Sequence, residues 1–162
     1  MNKKVLFICQ AAMIAALYVV LTYIASPLAS GVIQIRFAEA LTILPYFTPA
    51  AIPGVTIGCL LSNWLTGCAA IDILFGTLAT LIGAFGSYAL RRHQWFVPLP
   101  PILANTVIVP WVLRFAYGAS DGIPYMMATV GIGEIISCYL LGMILLTALK
   151  RLKHSPFEQE IH

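Results

Sequence analysis

Six apolar stretches, separated only by short polar breaks, occupy nearly all of this 162-residue chain. Crossing a hydrocarbon core about 30 Å thick takes roughly 20 apolar residues as helix, and inside that core each segment must satisfy its own backbone hydrogen bonds. The stretches read as helices at 5–25, 37–47, 49–66, 71–90, 98–117 and 124–149. At 60% apolar and 9% charged residues, with a mean hydropathy of +0.93, the chain carries more apolar surface than one water-soluble core could bury. The expected fold is an all-α integral membrane protein, a single membrane domain over 1–162 built as a bundle of six transmembrane helices with a short second helix. No room is left for a soluble catalytic domain.

Lys3 and Lys4 precede the first run as they would in a signal peptide, but the run is long and Ala25-Ser-Pro-Leu-Ala-Ser30 is a weak cleavage site, so it is read as a retained helix. Pro45, Pro49 and Pro53 remove backbone donors and restrict the residues before them, which predicts a tight turn between the second and third segments inside the bilayer's inner half. Such a turn is tolerable only where protein packs around it. Lys and Arg in short loops stay cytoplasmic, and six spans put Lys3, Lys4, Arg91, Arg92, Lys150, Arg151 and Lys153 on one side. The expectation is a multi-pass protein of the cell membrane with both termini cytoplasmic. The polar residues 154–162 form a short cytoplasmic tail, and the outer loops at 25–35, 67–70 and 118–123 carry no Lys or Arg.

Cys9, Cys59, Cys68 and Cys138 lie in or beside apolar runs without CxxC spacing, so they read as small buried hydrophobes and no metal site is expected. Small residues form stripes: Ala11 with Ala15 and Ala12 with Ala16 on the first helix, and Gly54, Gly58 and Ser62 on the third. Such faces let helices approach closely, either within the bundle or, for the alanines, against another membrane protein.

Ionisable residues in such segments are costly and are functional candidates by default. Glu134 lies roughly 15 Å below the outer end of the sixth helix and Asn105 roughly 18 Å below that of the fifth, a shared depth. Arg36, Glu39, Asn63, Trp64 and Asp72 sit nearer the outer surface, and together these residues outline a polar pocket opening outward. Glu134 stands between Gly133 and Ile135 with no basic residue within a turn; it is a protonated buried acid, a partner of Arg36 or Arg114, or a ligand-binding carboxylate. Arg36 and Glu39 are spaced for an i,i+3 ion pair or for a ligand, and Asp72 is placed to cap its helix. Arg114 reads as an interfacial snorkelling residue. Trp64, Trp111, Tyr23, Tyr117 and Tyr125 fit an aromatic belt, with Trp64 the one placed to stack on a ligand.

No HExxH, GxSxG or P-loop is present, and His93, His154 and His162 fall on the cytoplasmic side, away from the acids. An enzyme is not expected, and neither is a nucleic-acid partner. No inverted repeat of the secondary-transporter kind is visible.

Five ordered motifs carry a resemblance over nearly the whole chain. They are Ile33-Gln-Ile-Arg-Phe-Ala-Glu-Ala-Leu-Thr-Ile-Leu-Pro-Tyr-Phe-Thr-Pro-Ala-Ala-Ile-Pro-Gly54, Ile57-Gly-Cys-Leu-Leu-Ser-Asn63, Asp72-Ile-Leu-Phe-Gly-Thr-Leu-Ala-Thr80, Pro98-Leu-Pro-Pro-Ile-Leu-Ala-Asn105 and Val130-Gly-Ile-Gly-Glu134. The chain resembles the QueT family, queuosine-precursor transporters of the energy-coupling-factor (ECF) class. The resemblance implies a substrate-binding S-component without enzymatic activity, with its pocket closed by the loop after the first helix. It implies an alanine face, here Ala11, Ala12, Ala15 and Ala16, docked on a transmembrane coupling protein. No cofactor would bind this chain, since ATP is used by two cytoplasmic ATPases. The substrate would be a 7-deazaguanine base such as the aminomethyl precursor or queuine. A carboxylate can accept the two adjacent donors of such a base, and Asn or Arg can meet its carbonyl. Glu134 suits the donor edge, Asn105 or Asn63 the other polar groups, Trp64 or Tyr139 the ring face, and Glu39 or Asp72 an aminomethyl cation. Alternatives are a proton-coupled carrier of a small cationic or heterocyclic solute, an S-component for another vitamin, and a membrane assembly subunit without a ligand.

Overall fold

The computed structural model describes residues 2–26 and 35–152, and the tail at 154–162 and most of the loop after the first helix lie outside them. Among the described residues all regular structure is helical. The helices are α1 (Lys3–Ala25), a 3-10 segment (Phe37–Tyr46), α2 (Ala51–Leu65), α3 (Ala70–Ala89), α4 (Leu99–Ala116) and α5 (Ile123–Arg151). α1, α3, α4 and α5 are long and apolar enough to cross a membrane, whereas the 15 residues of α2 extend only about 22 Å.

The bundle has an apolar core, but it also gathers its polar side chains inside and turns large apolar ones outward, as hydrocarbon solvent demands. Ile8, Ile24, Leu74 and Phe115 are exposed, whereas Gln10, Glu39, Thr42, Asn63, Thr80, Asn105, Glu134 and Ser137 are buried. Helices adjacent in sequence pack together from α1 through α5, and the 3-10 segment lies at the centre against α1, α2, α3 and α5. Pro45 falls inside this segment, where it removes one N–H from the ladder of bonds between residues three apart. The turn that follows is covered by protein: Phe47, Thr48 and Ala50 are buried, and Thr48 donates to Gln10 of α1 at 3.2 Å.

α1 and α2 touch backbone to side chain. A Cβ added at Gly58 would lie 2.6 Å from the Tyr18 Cβ, and one at Gly54 would lie 2.9 Å from the Ile14 Cβ. The Ala11 and Ala15 carbonyls lie over the same two glycines, so this alanine stripe is spent inside the bundle. Ala12 and Ala16 face outward. Cys59 and Cys138 are buried as expected, but Cys9 is exposed on α1; all four cysteines are free.

Lys3, Lys4, Arg91, Arg92, Lys150 and Arg151 all lie at the end of the bundle away from Ala25, Leu65 and Ala116. There Lys150 sits 4.6 Å over the Tyr46 ring, tying α5 to the 3-10 segment. Gly58→Leu should destabilise the protein by about 1–3 kcal/mol through overpacking. Ala16→Leu, on the open face, should stay within about 0.5 kcal/mol. Thermal unfolding in detergent separates the two.

Candidate functional site

A cavity of about 470 Å³ opens at the end of the bundle opposite those basic residues. Its lining comes from the C-terminal ends of α1, α2 and α4, the start of the 3-10 segment and the start of α3, including Thr22, Arg36, Asn63, Asp72 and Tyr117.

Arg36 donates through Nη2 to Asn63 Oδ1 at 3.1 Å, and its backbone N–H donates to Ser137 Oγ at 3.1 Å. Glu39 is directed elsewhere, accepting at Oε1 from the Tyr18 hydroxyl at 2.6 Å. Among the described residues no ion pair joins Arg36 to Glu39, so the i,i+3 pairing allowed by their spacing is not formed. Asn63 is fastened from below by its Nδ2 donating to Cys59 Sγ at 3.6 Å. Gly76 makes room for both rim residues, because a Cβ there would lie 3.2 Å from Asn63 Nδ2 and 3.2 Å from Asp72 Oδ1. Asp72 does not cap its helix, whose N-cap residue is Ala69 with no side-chain bond. Instead Asp72 accepts from the Tyr117 hydroxyl at 2.7 Å, and Tyr117 accepts from the Ala69 N–H at 3.2 Å, joining α4 to α3 at the rim.

Behind Arg36 lies a second, closed group. Glu39, Glu134 and Cys138 are all buried and each brings one oxygen or sulfur within 4.8 Å of the others. Cys138 donates to Glu134 Oε2 at 3.2 Å, and Thr42 donates to the Glu39 carbonyl at 2.6 Å. Asn105 is 1% exposed against the Glu134 carboxyl. This donor set resembles that of a metal centre, but its carboxylates already accept from a phenol and a thiol. A seven-residue π stretch, Ile135–Leu141, turns Ser137 and Cys138 toward the 3-10 segment.

The structure therefore brings Arg36, Asn63 and Asp72 to the cavity and sets Glu39, Glu134 and Asn105 behind it, off its lining. Trp64 is 67% exposed and lines no part of the cavity, because its place on α2 turns it outward. Tyr139 lies in a separate groove with Trp95 and Arg151 at the opposite end. Neither is in reach of a ring bound in the cavity. Arg114 reaches the carbonyls of Ala119, Ser120 and Asp121 at 3.4–3.5 Å, closing the loop between α4 and α5. Sequence reasoning passed over Tyr18, although a tyrosine in the middle of an apolar run must find a partner for its hydroxyl. It also passed over Ser137 and read Cys138 only as a small buried hydrophobe, because their inward turn depends on a π stretch that leaves no periodic signature.

Long apolar helices wrapped around a polar cavity, with inward-facing acids and amides, define a multi-pass membrane protein of the solute-handling kind. The chain belongs to the QueT transporter family, whose model matches residues 8–151. It is therefore a transporter-family member and not an enzyme. It is 40% identical over 83 residues to the queuosine precursor transporter QueT of Lactococcus lactis subsp. cremoris (strain MG1363), a match covering 50% of this chain and 48% of that protein. The chain thus aligns with about half the length of that curated relative. No solved structure matches it.

Tyr18→Phe should cost about 1.5–3 kcal/mol by leaving a buried carboxylate without its donor. Tyr117→Phe, at the exposed rim, should cost no more than about 1 kcal/mol. Equal losses in thermal unfolding would contradict the central place given to Glu39.

Proposed function

We propose that this protein is the substrate-binding subunit of an ECF-type importer, capturing a queuosine precursor outside the cell and delivering it to the cytoplasm. The observation that carries this reading is the cavity of about 470 Å³ whose rim presents a cation, an amide and a carboxylate together. A 7-deazaguanine base matches that set. Arg36 and Asn63 can donate to its carbonyl, and Asp72 can accept from the ring N–H and exocyclic amine together. Tyr117 at the rim supplies an aromatic neighbour. The 7-substituent of such a base lies beside its carbonyl, so a base held by Arg36 points the substituent toward Glu39, Glu134 and Asn105.

The substrate named for the Lactococcus relative supports this assignment. The basic residues gathered at the opposite end of the bundle support cytoplasmic termini and an outward cavity. On this reading ATP is consumed by two partner ATPases, and a transmembrane coupling protein docks on the open Ala12 and Ala16 stripe of α1. Nothing among the described residues is placed to hydrolyse a nucleotide. The buried acids favour a proton-coupled carrier as the second reading.

Uptake of radiolabelled base separates the two readings. Dependence on co-expressed ATPase subunits is expected, and uptake by this chain alone under a pH gradient would sink the proposal. Arg36→Ala and Asn63→Ala should each weaken binding of the aminomethyl base in detergent by about 1–3 kcal/mol, while Trp64→Ala leaves it within about 0.5 kcal/mol. Bulky residues at Ala12 and Ala16 should spare binding and abolish uptake.

A further inference from the structure

We propose that Glu39 and Glu134 form a proton-for-cation exchange site: the empty protein holds one proton between them, and an ammonium-bearing ligand displaces it. This rests on the deazaguanine reading above and adds a chemical requirement to it, that the favoured ligand carry a positive charge.

Two carboxylates 0% and 3% exposed, with atoms inside the same 4.8 Å group, repel each other strongly in a low-dielectric interior. Among the described residues Arg36 is the guanidinium whose field reaches both, and it offsets one negative charge. The other titratable groups facing the pair are Tyr18 of α1, Cys59 of α2 and Cys138 of α5, all neutral in their ordinary protonated forms. From α4 comes the uncharged Asn105. Asp72 of α3 lies out at the cavity rim. With both acids ionised the group carries one uncompensated negative charge, and one positive charge completes it.

One buried atom of the pair also stands ready for a ligand. Glu39 Oε2 is buried with no hydrogen-bond partner, an acceptor left open beside the cluster. Unsatisfied buried polar atoms are costly, and a polar group arriving from the cavity relieves that cost. In the empty site the shared proton lies on one carboxyl. When a ligand ammonium enters past Arg36 it donates to the pair, and the proton leaves to bulk water. The charge of the site is the same before and after.

The proton count fixes the sign of the pH dependence. A proton released on binding means that affinity for the cation rises with pH until the empty pair has lost its proton, then levels off. A neutral ligand leaves the proton in place and shows no such dependence.

The test is calorimetric binding to the purified full chain in detergent, between about pH 6 and pH 8, where an alkylammonium stays charged. Two bases are compared, 7-aminomethyl- and 7-cyano-7-deazaguanine, in buffers of different ionisation enthalpy. Expected for the aminomethyl base is release of close to one proton and an affinity that climbs up to about tenfold per pH unit. The cyano base should bind more weakly, with no release. Binding of the aminomethyl base without proton release overturns the exchange. A readout without ligand guards against misfolded variants: the infrared spectrum of the empty protein should show a protonated buried carboxyl band that vanishes in Glu134→Gln and on loading the aminomethyl base. Absence of that band also overturns the proposal. If neither base binds, the deazaguanine reading falls and the exchange with it, while the band still reports whether the pair shares a proton.

Discussion

Glu39 is wholly buried, and in a membrane protein that one fact organises its surroundings. A carboxylate in the hydrocarbon zone is tolerable only with donors and compensating charge around it. Tyr18 supplies the donor from α1, Arg36 the charge from the start of the 3-10 segment, and Cys138 of α5 closes over the same residue's carbonyl at 3.7 Å. Three parts of the bundle converge on one side chain. The dense centre they make leaves the cavity as the place where the polar rim stays open.

The small residues serve the same end. Gly58 lets α2 approach α1 at Tyr18, which sets the tyrosine at the depth of Glu39. Gly76 leaves room for Asn63 and Asp72 to stand together at the rim. At the end of α2, Gly67 takes a φ of +74°, and the N–H groups of Gly67 and Cys68 close back on Trp64 and Asn63. That turn ends α2 just where its polar residues reach the cavity. Backbone choices at these glycines thus control where the functional side chains of α1, α2 and α3 stand.

Much of this was legible in the chain. Hydropathy alone marks the helical segments, since apolar length is what a bilayer selects, and the prolines at 45, 49 and 53 mark where the second and third segments break. Depth along a helix places Glu134 and Asn105 side by side. What depth cannot supply is azimuth: Trp64 neighbours Asn63 in sequence yet points away from the cavity, and Tyr139 falls in a groove at the other end. Apolar periodicity is little help in choosing a face where the surrounding solvent is itself apolar. The Arg36 and Glu39 spacing likewise suggested a pair, but Arg36 is the extended residue just before the 3-10 segment, outside its turns, and both side chains found partners on other helices.

On the proposed function, the rim of Arg36, Asn63 and Asp72 is the binding surface, and the acids behind Arg36 are the charge-selective end of one site. A structure of the protein bound to 7-aminomethyl-7-deazaguanine tests this most directly. The base should sit in the cavity with its carbonyl on Arg36 and Asn63, its donor edge on Asp72 and its ammonium against Glu39 and Glu134. A base bound elsewhere, or one in the cavity with its ammonium turned out to solvent, would contradict it.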